Sequence, residues 1–295
     1  MIDLLRKRLQ QVSATNAVQE EQALKEMLQE VALYALWRGG FFKIGAFQGG
    51  TSLRILHGLP RFSEDLDFIL LAPTPEFRWA HYFESLTEVL AQFGVRCELS
   101  DSSRMDRAVR QAMLKDDSIG RQLDLSFFDA NNQRKLKVKL EIDTRPPPGS
   151  GIAWHYLDFP LNFEVCAQDL PSNYALKLHA LLCRPYLKGR DWFDFAWYCR
   201  QQTRPNLPHL AHALHQAGPW KDQNTPVDAQ WLADALSAKI KTINWLLAAQ
   251  DVAPFLPATE QASLTLWSER FFADKIGKLV QAVSANALPK TVIRD

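Results

Sequence analysis

The amino-acid sequence reads as an α+β fold, a mixed β-sheet flanked by helices and followed by a mainly helical C-terminal half. Three observations predict it. Short apolar or alternating runs bounded by Gly, Pro and Asn fill the first half. A tract that cannot continue a strand, Pro146-Pro147-Pro148-Gly149-Ser150-Gly151, breaks the pattern. From Asn173 onward the spacing turns helical, with Tyr174, Leu178, Leu181 and Leu182 on one side. The expected organisation is a first domain over residues 1–160 with its N-terminal helices, then a helical domain over 161–295 that completes a cleft.

Taken in order, Leu4 to Trp37 carries Leu, Val and Ala at helical spacing, with Glu20, Glu21, Lys25 and Glu30 on the polar side, and predicts one or two helices. Phe41 to Phe47 predicts a strand feeding a turn, and Thr51 to His57 a helix ended by Gly58 and Pro60. The strand carrying Asp65 and Asp67 runs on through Phe68, Ile69, Leu70 and Leu71 until Pro73 and Pro75 stop it. Glu76 to Phe93 is amphipathic, with Gly94 as its C-terminal stop, and Val95 to Leu99 predicts a strand. Ser102 or Ser103 is placed to cap a short helix toward Leu114. Gln122 to Phe128 and Leu136 to Asp143, separated by Asp129-Ala130-Asn131-Asn132-Gln133, predict a β-hairpin.

Composition narrows the function. At 295 residues and 47% hydrophobic, the chain can fill one large core or two ordinary ones. Lys plus Arg number 34 against 33 Asp plus Glu, so no overall basic field marks a nucleic-acid binder, and any polyanion contact must come from local patches. Cys97, Cys166, Cys183 and Cys199 lack zinc-ligand spacing and read as reduced core residues. Neither a signal peptide nor a membrane span is expected, which makes the cytoplasm the default compartment. Trp220, Trp231, Trp245 and Trp267 read as helix-contact residues and not as a base-stacking platform, for want of an accompanying aromatic pair on a strand.

The chemistry concentrates in Phe47 to Leu70, FQGGTSLRILHGLPRFSEDLDFIL. Gly49, Gly50, Thr51 and Ser52 stand where a helix begins, and backbone N–H groups there suit phosphate when glycine keeps side chains out of the way. The Thr51 and Ser52 hydroxyls could donate to phosphate oxygens or simply cap the helix. Strand alternation puts Asp65 and Asp67 on one face, about 7 Å apart, and Leu66 and Phe68 on the other. Such a pair repels unless a cation lies between, and Mg²⁺, which takes one or two carboxylates and completes its shell with substrate phosphates, is the expected one. Glu141, with Asp143 as second choice, supplies a third acid for two-metal chemistry. Alternating charge on an edge strand would explain the same residues. In the helical half, Lys177 could neutralise a triphosphate with Asp191 or Asp194 orienting it, while Arg190 and Asp194 equally form an ordinary i, i+4 pair. His179 reads as a packed or solvated helix residue.

The run GGTSL, the segment Arg61-Phe62-Ser63-Glu64-Asp65-Leu66-Asp67-Phe68, and the helix ALKLHALLCR followed by GRDWFDF together resemble the AbiEii/AbiGii nucleotidyltransferase toxin family, which belongs to the DNA polymerase β-like nucleotidyltransferases. The resemblance spans about Phe42 to Cys199. It implies a nucleotidyltransferase core with Gly50 and Ser52 on the phosphate turn, Asp65 and Asp67 as metal ligands, Lys177 on the nucleotide phosphates, and Asp191 or Asp194 as the last functional position. It further implies the toxin half of a type IV toxin–antitoxin or phage-defence system, with an antitoxin regulator encoded separately and, in some members, nucleotide addition to the acceptor end of tRNA. Gln48 departs from the family pattern, which often has lysine there; Lys43 or Lys177 is left to compensate.

The expected activity is therefore transfer of NMP from an NTP to an RNA (tRNA included) or protein hydroxyl, with Mg²⁺ or Mn²⁺ held by Asp65, Asp67 and Glu141. Gly49, Gly50, Thr51, Ser52 and Lys177 would bind the phosphates. Two alternatives stand beside it: a catalytically silent nucleotide- or partner-binding relative, and a kinase-like phosphotransferase.

Overall fold

The computed structural model describes residues 1–12, 14–104, 107–116, 118–119, 123, 125 and 136–285. The chain forms two compact units. One comprises Met1–Gly58, Phe62–Pro146 and Ile152–Ala167; the other comprises Leu59–Arg61, Pro147–Gly151 and Gln168–Asp295.

The first unit is built on a seven-stranded sheet of order β3-β4-β5-β2-β1-β7-β6. Its strands are β1 (Gly45–Gln48), β2 (Asp65–Leu70), β3 (Cys97–Asp101), β4 (Val109–Asp116), β5 (Leu136–Asp143), β6 (Ile152–Leu157) and β7 (Phe163–Gln168). The sheet is mixed: β2 is antiparallel to β1 and parallel to β5, which is antiparallel to β4. Helices α1 (Ile2–Gln10), α2 (Ala17–Arg38), α3 (Gly49–His57) and α4 (Phe83–Gln92) accompany it. On α2, Asn16 caps the N-terminus by accepting from the Gln19 N–H, and Tyr34 sets its ring edge-on to Phe93 and Phe163. Leu66, Phe68, Val138, Leu140 and Ile142 fill the core beneath, each at most 1% exposed.

Several sequence expectations change here. Val109–Asp116 is a strand and not the continuation of a helix capped by Ser102 or Ser103; its alternating Arg110, Ala112 and Leu114 are buried against β5. The expected hairpin fails for a topological reason, because β5 already has β4 on one side and β2 on the other. Of the proposed partner strand, Leu123 and Leu125 are not in a strand, and the rest of 122–128 and its turn lie outside the described residues. Phe41–Lys43 is a 3₁₀ turn that precedes β1. The irregular stretch expected after the Pro tract contains β6 and β7, the former joined to the sheet's edge.

The second unit is helical: α5 (Leu170–Cys183), α6 (Gly189–Arg200), α7 (Leu207–Gln216), α8 (Ala229–Ile240), α9 (Trp245–Val252), α10 (Ala258–Gln261) and α11 (Glu269–Ser284). Asp169, Asn206, Asp228, Asn244 and Ser268 each cap a helix here through a side-chain oxygen, which is why the pattern stays helical in pieces. Trp245 stacks on Phe272 at 4.2 Å and meets Trp192 edge-on, as core residues do. Among the described residues no helix is long and apolar enough to cross a membrane.

On α2, Gln29 and Glu30 are both buried. Gln29 donates to the carbonyls of Ser63 and Glu64 at 2.9 Å each and so fixes the chain entering β2. Glu30 is less well served: burial pushes its carboxyl up to about 7 against the pull of Arg8, 3.5 Å away. Its folded value lies above the unfolded one, so its contribution to stability is full below about pH 4.5 and is lost as pH rises through 7. Glu30→Gln is expected to be more stable than the wild type at pH 8, by up to about 3 kcal/mol, with the difference closing toward pH 4.5. Urea denaturation at both pH values measures it.

Candidate active site

β1 passes into α3 without a loop, Gln48 being the last strand residue and Gly49 the first of the helix. Gly49 has φ +78°, and a Cβ there would lie 2.5 Å from Asp67 Oδ2. Glycine is thus what lets the start of a helix lie against this carboxylate. Gln48 occupies the N-cap position with no side-chain cap bond. Thr51 and Ser52, read as phosphate donors or caps, are buried, and their hydroxyls meet backbone carbonyls. The Thr51 hydroxyl donates to the Asp65 carbonyl, and that of Ser52 to the Gly49 carbonyl at 2.9 Å. They fasten α3 to β2 and close its first turn.

The register of the sheet gathers the acids. Asp67 lies opposite Glu141 on β5 and opposite Gln48 on β1, and Asp65 lies opposite Lys139. Neighbouring strands are about 4.8 Å apart, so these side chains share one small area of one face. Asp143, the second choice for the third acid, lies opposite Ile69 and accepts from the Arg145 N–H at 2.8 Å. Geometry therefore favours Glu141 as the companion of Asp67. The edge-strand account of its charges fails, because β5 is interior.

Lys139 is the residue the sequence reading passed over. Its ammonium lies 2.7 Å from Glu141 Oε1. Burial works to lower its pKa, but the hydrogen bond to Glu141 and the charges of Glu141, Asp65 and Asp67 overcome this and raise it. Gln111, across on β4, also donates to Glu141. The signal was present in the Lys-Val-Lys-Leu-Glu alternation, which puts Lys139 and Glu141 on the same side. Lys43 sits at the opposite end of β1 from Gln48 and is exposed, so it is Lys139 that meets the acids.

Among the described residues no group of three or more His, Cys, Asp or Glu is arranged to hold a metal ion. The donor chemistry nonetheless fits a hard divalent cation. Asp65 and Asp67 supply the one or two carboxylates Mg²⁺ usually takes, and Lys139 now provides the positive charge beside them.

Lys177, Asp191 and Asp194 belong to the helical unit and form their own network. Asp194 is wholly buried; Arg61 grips it with two parallel bonds of 2.6 and 2.7 Å, and the Lys177 ammonium lies 2.8 Å away. Burial alone would raise this carboxyl, but Arg61 and Lys177 outweigh it and hold the pKa low. The ordinary Arg190–Asp194 pair does not describe this site, since Asp194 turns to Arg61 and the Arg190 guanidinium lies over the Phe255 ring. Asp191 is 3.1 Å from Arg184 and 3.8 Å from Lys177. Arg61 was missed because nothing in a linear reading joins it to a residue 133 positions away. His179 meets the Ala217 carbonyl at 3.1 Å, a packed role as expected.

A further feature corrects the sequence reading: an aromatic pair on a strand does exist. Trp154 and Tyr156 on β6 are 51% and 81% exposed, on positions alternate to Leu157, which packs on the core. The Pro tract before them drew attention away from the alternation.

The model of a family described as nucleotidyl transferase AbiEii toxin, type IV TA system, matches residues 31–275, longer at both ends than the Phe42–Cys199 span of the sequence resemblance. No curated protein matches. Among solved structures, JHP933 from Helicobacter pylori is similar over 90% of this chain and 93% of its own, at 17% identity and a TM-score of 0.51. MenT4, a nucleotidyltransferase toxin from Mycobacterium tuberculosis, is matched over 95% of this chain and 99% of its own, at 17% identity and a TM-score of 0.49. The likeness of fold rests on the former.

Two glycines offer a contrast. Gly49→Ala meets Asp67 at a left-handed backbone, whereas Gly277 on α11 has nothing within 4 Å of an added Cβ. Urea denaturation is expected to show Gly49→Ala destabilised by about 2 kcal/mol. Gly277→Ala should instead be stabilised by up to about 1 kcal/mol.

Proposed function

Because the chain belongs to the AbiEii nucleotidyltransferase toxin family of type IV toxin–antitoxin systems, we propose that it moves a nucleoside monophosphate from a nucleoside triphosphate to an RNA hydroxyl, with a divalent cation required. The observation that carries this reading is the approach of Gly49 to Asp67, which brings a helix N-terminus and the acids of β2 and β5 into one place.

In this reading the first turn of α3, from Gly49 and Gly50 through Thr51 and Ser52, receives the β- and γ-phosphates with the positive end of the helix dipole behind it. Thr51 and Ser52 act by holding that turn in place, since their hydroxyls are engaged with the backbone. Asp65 and Asp67 would hold Mg²⁺ or Mn²⁺, with Glu141 joining them on release from Lys139; the ion would neutralise the triphosphate and polarise the phosphorus under attack. Lys139 offsets the repulsion among the acids in the absence of substrate. Lys177 is proposed as a further contact to the phosphates, with Asp194 and Arg61 as the residues that position it and Asp191 as a lesser partner. No covalent nucleophile is needed, because phosphoryl-type transfer rests on positioning and charge neutralisation.

RNA is favoured over a protein acceptor by Trp154 and Tyr156, exposed rings of the kind on which unpaired bases stack. β6 is three strands from β2, about 14 Å, a distance that two or three extended nucleotides span. The tRNA acceptor end implied by the family resemblance is the first RNA to test. A partner antitoxin regulator and a role in phage defence belong to the same proposal. A second reading, a catalytically silent binder, draws on the Lys139–Glu141 pair and on Gln48 in place of a lysine.

Incubation of the protein with total RNA, Mg²⁺ and α-labelled nucleoside triphosphates is expected to label RNA, and Asp67→Asn to reduce the labelling by about a hundredfold or more. Label arriving from γ-labelled ATP would instead identify a kinase-like enzyme; none from any nucleotide would leave the silent binder. Replacing Trp154 and Tyr156 by alanine is expected to raise KM for RNA by about tenfold while leaving that for the nucleotide unchanged. Steady-state kinetics in the two substrates separate these effects.

A further inference from the structure

The helical unit contains a cavity of about 290 Å³ between the end of α5, the loop that follows it, and the facing ends of α8 and α9. Its walls carry three cations, Arg184, Lys188 and Lys239, against one carboxylate, Asp191. That carboxylate is itself shared with Lys177, outside the lining. The balance within the cavity is thus strongly positive.

The cations are incompletely served. Arg184 Nη1 is buried and has no hydrogen-bond partner, although Asp191 lies 3.1 Å from it. Lys239 donates to the Arg184 carbonyl at 3.2 Å, which closes the C-terminus of α5, and it lines the same cavity as Arg184 and Lys188. Lys188 makes no ion pair among the described residues. Burial lowers its pKa; Asp191 opposes this, and Arg190, Arg184 and Lys177 add to the fall. Holding three cations together in this way is unfavourable unless something negative completes the group.

We infer that this cavity is a binding site for a phosphomonoester, distinct from the acids of β2 and β5 and independent of the transfer reaction proposed above. A phosphomonoester carries about −1.5 to −2 at neutral pH, close to the excess charge of the walls, whereas a carboxylate would leave a cation unmatched. The fork of Arg184 fits two phosphate oxygens at once, with Lys188 and Lys239 as point charges at the side. The volume exceeds that of a bare phosphate and lies near the lower bound for small-ligand pockets, about 300 Å³. Leu181, Ile243 and Leu247 offer an apolar wall for the ester's organic part, and the exposed Tyr186 ring, already under Arg184, a flat one. A free nucleoside monophosphate and the 5′-phosphate of an RNA end present the same chemistry.

The test is titration calorimetry on the full chain without divalent metal, using GMP, AMP, and an RNA oligonucleotide with and without a 5′-phosphate. Saturable binding of a phosphomonoester is expected. Lys188→Gln and Lys239→Gln should weaken it at least tenfold, and Lys188→Arg, which keeps the charge, should largely retain it. Lys278→Gln, which alters an exposed cation on α11, and the double variant Asp65→Asn with Asp67→Asn should bind as the wild type does. Tighter binding of the phosphorylated RNA than of either nucleotide would assign the site to RNA ends, and the reverse order to free nucleotides. Three results would overturn the inference: no saturable binding to the wild type, binding indifferent to both lysine-to-glutamine changes, or binding lost in the double aspartate variant. The last would place the phosphate at the acids and leave this cavity without a role. Because no step of nucleotidyl transfer is read, failure here leaves the proposed activity standing.

Discussion

Leu66, Phe68 and Leu70 are sealed into the core of the sheet unit, and a strand's side chains alternate, so Asp65 and Asp67 can only face the other way. The rest of the candidate site hangs on that parity. A slip of one residue in the pairing of β2 would bury both aspartates and expose three large apolar side chains, an exchange costly enough to fix the register. With it fixed, β1 delivers Gly49 to Asp67, and β5 delivers Lys139 and Glu141 to the two aspartates in turn. Gln29 guards the entrance to the strand by engaging the carbonyls of Ser63 and Glu64, a buried amide spent on the backbone just ahead of β2.

What was legible in the sequence is what local physics decides. The helical spacing of Leu, Val and Ala along α2, the stop at Gly58 and the alternation of Asp65 with Leu66 are all short-range, and the structure carries them as read, although Glu20 and Glu30, read on the polar side of α2, are buried. What was not legible is pairing. The alternating run 136–143 announced a strand, but only the whole sheet order reveals that β5 is interior, with both of its partners, β2 and β4, coming from before the expected hairpin. Val109–Asp116 has the alternation of a strand and was obscured by serines suited to a helix start. Arg61 and Asp194 meet across 133 residues, and Lys139 meets the charges of Asp65 and Asp67 only when β2 and β5 lie side by side.

The acids of the two units differ in how firmly they are held. Asp194 is enclosed, gripped on both oxygens by Arg61 and touched by Lys177, a geometry in which removal of either cation would strand a buried charge. Asp65, Asp67 and Glu141 are only partly buried, and the Lys139 ammonium lies against Glu141 within the field of the two aspartates. An acid that must exchange partners suits the second arrangement, and an acid that must keep another side chain in place suits the first. This difference gives physical content to the separate parts assigned to the two groups.

The sheet ends at β6, whose sequence Ile-Ala-Trp-His-Tyr-Leu contains no lysine, proline or acid. Natural edge strands are commonly blunted by such residues, which deter another chain from adding to the open row of amide groups. Here Ile152, Trp154 and Tyr156 leave an apolar face beside that edge. The same surface that suits stacked bases is therefore the molecule's colloidal weak point, and the protein's solubility at high concentration depends on what covers one strand.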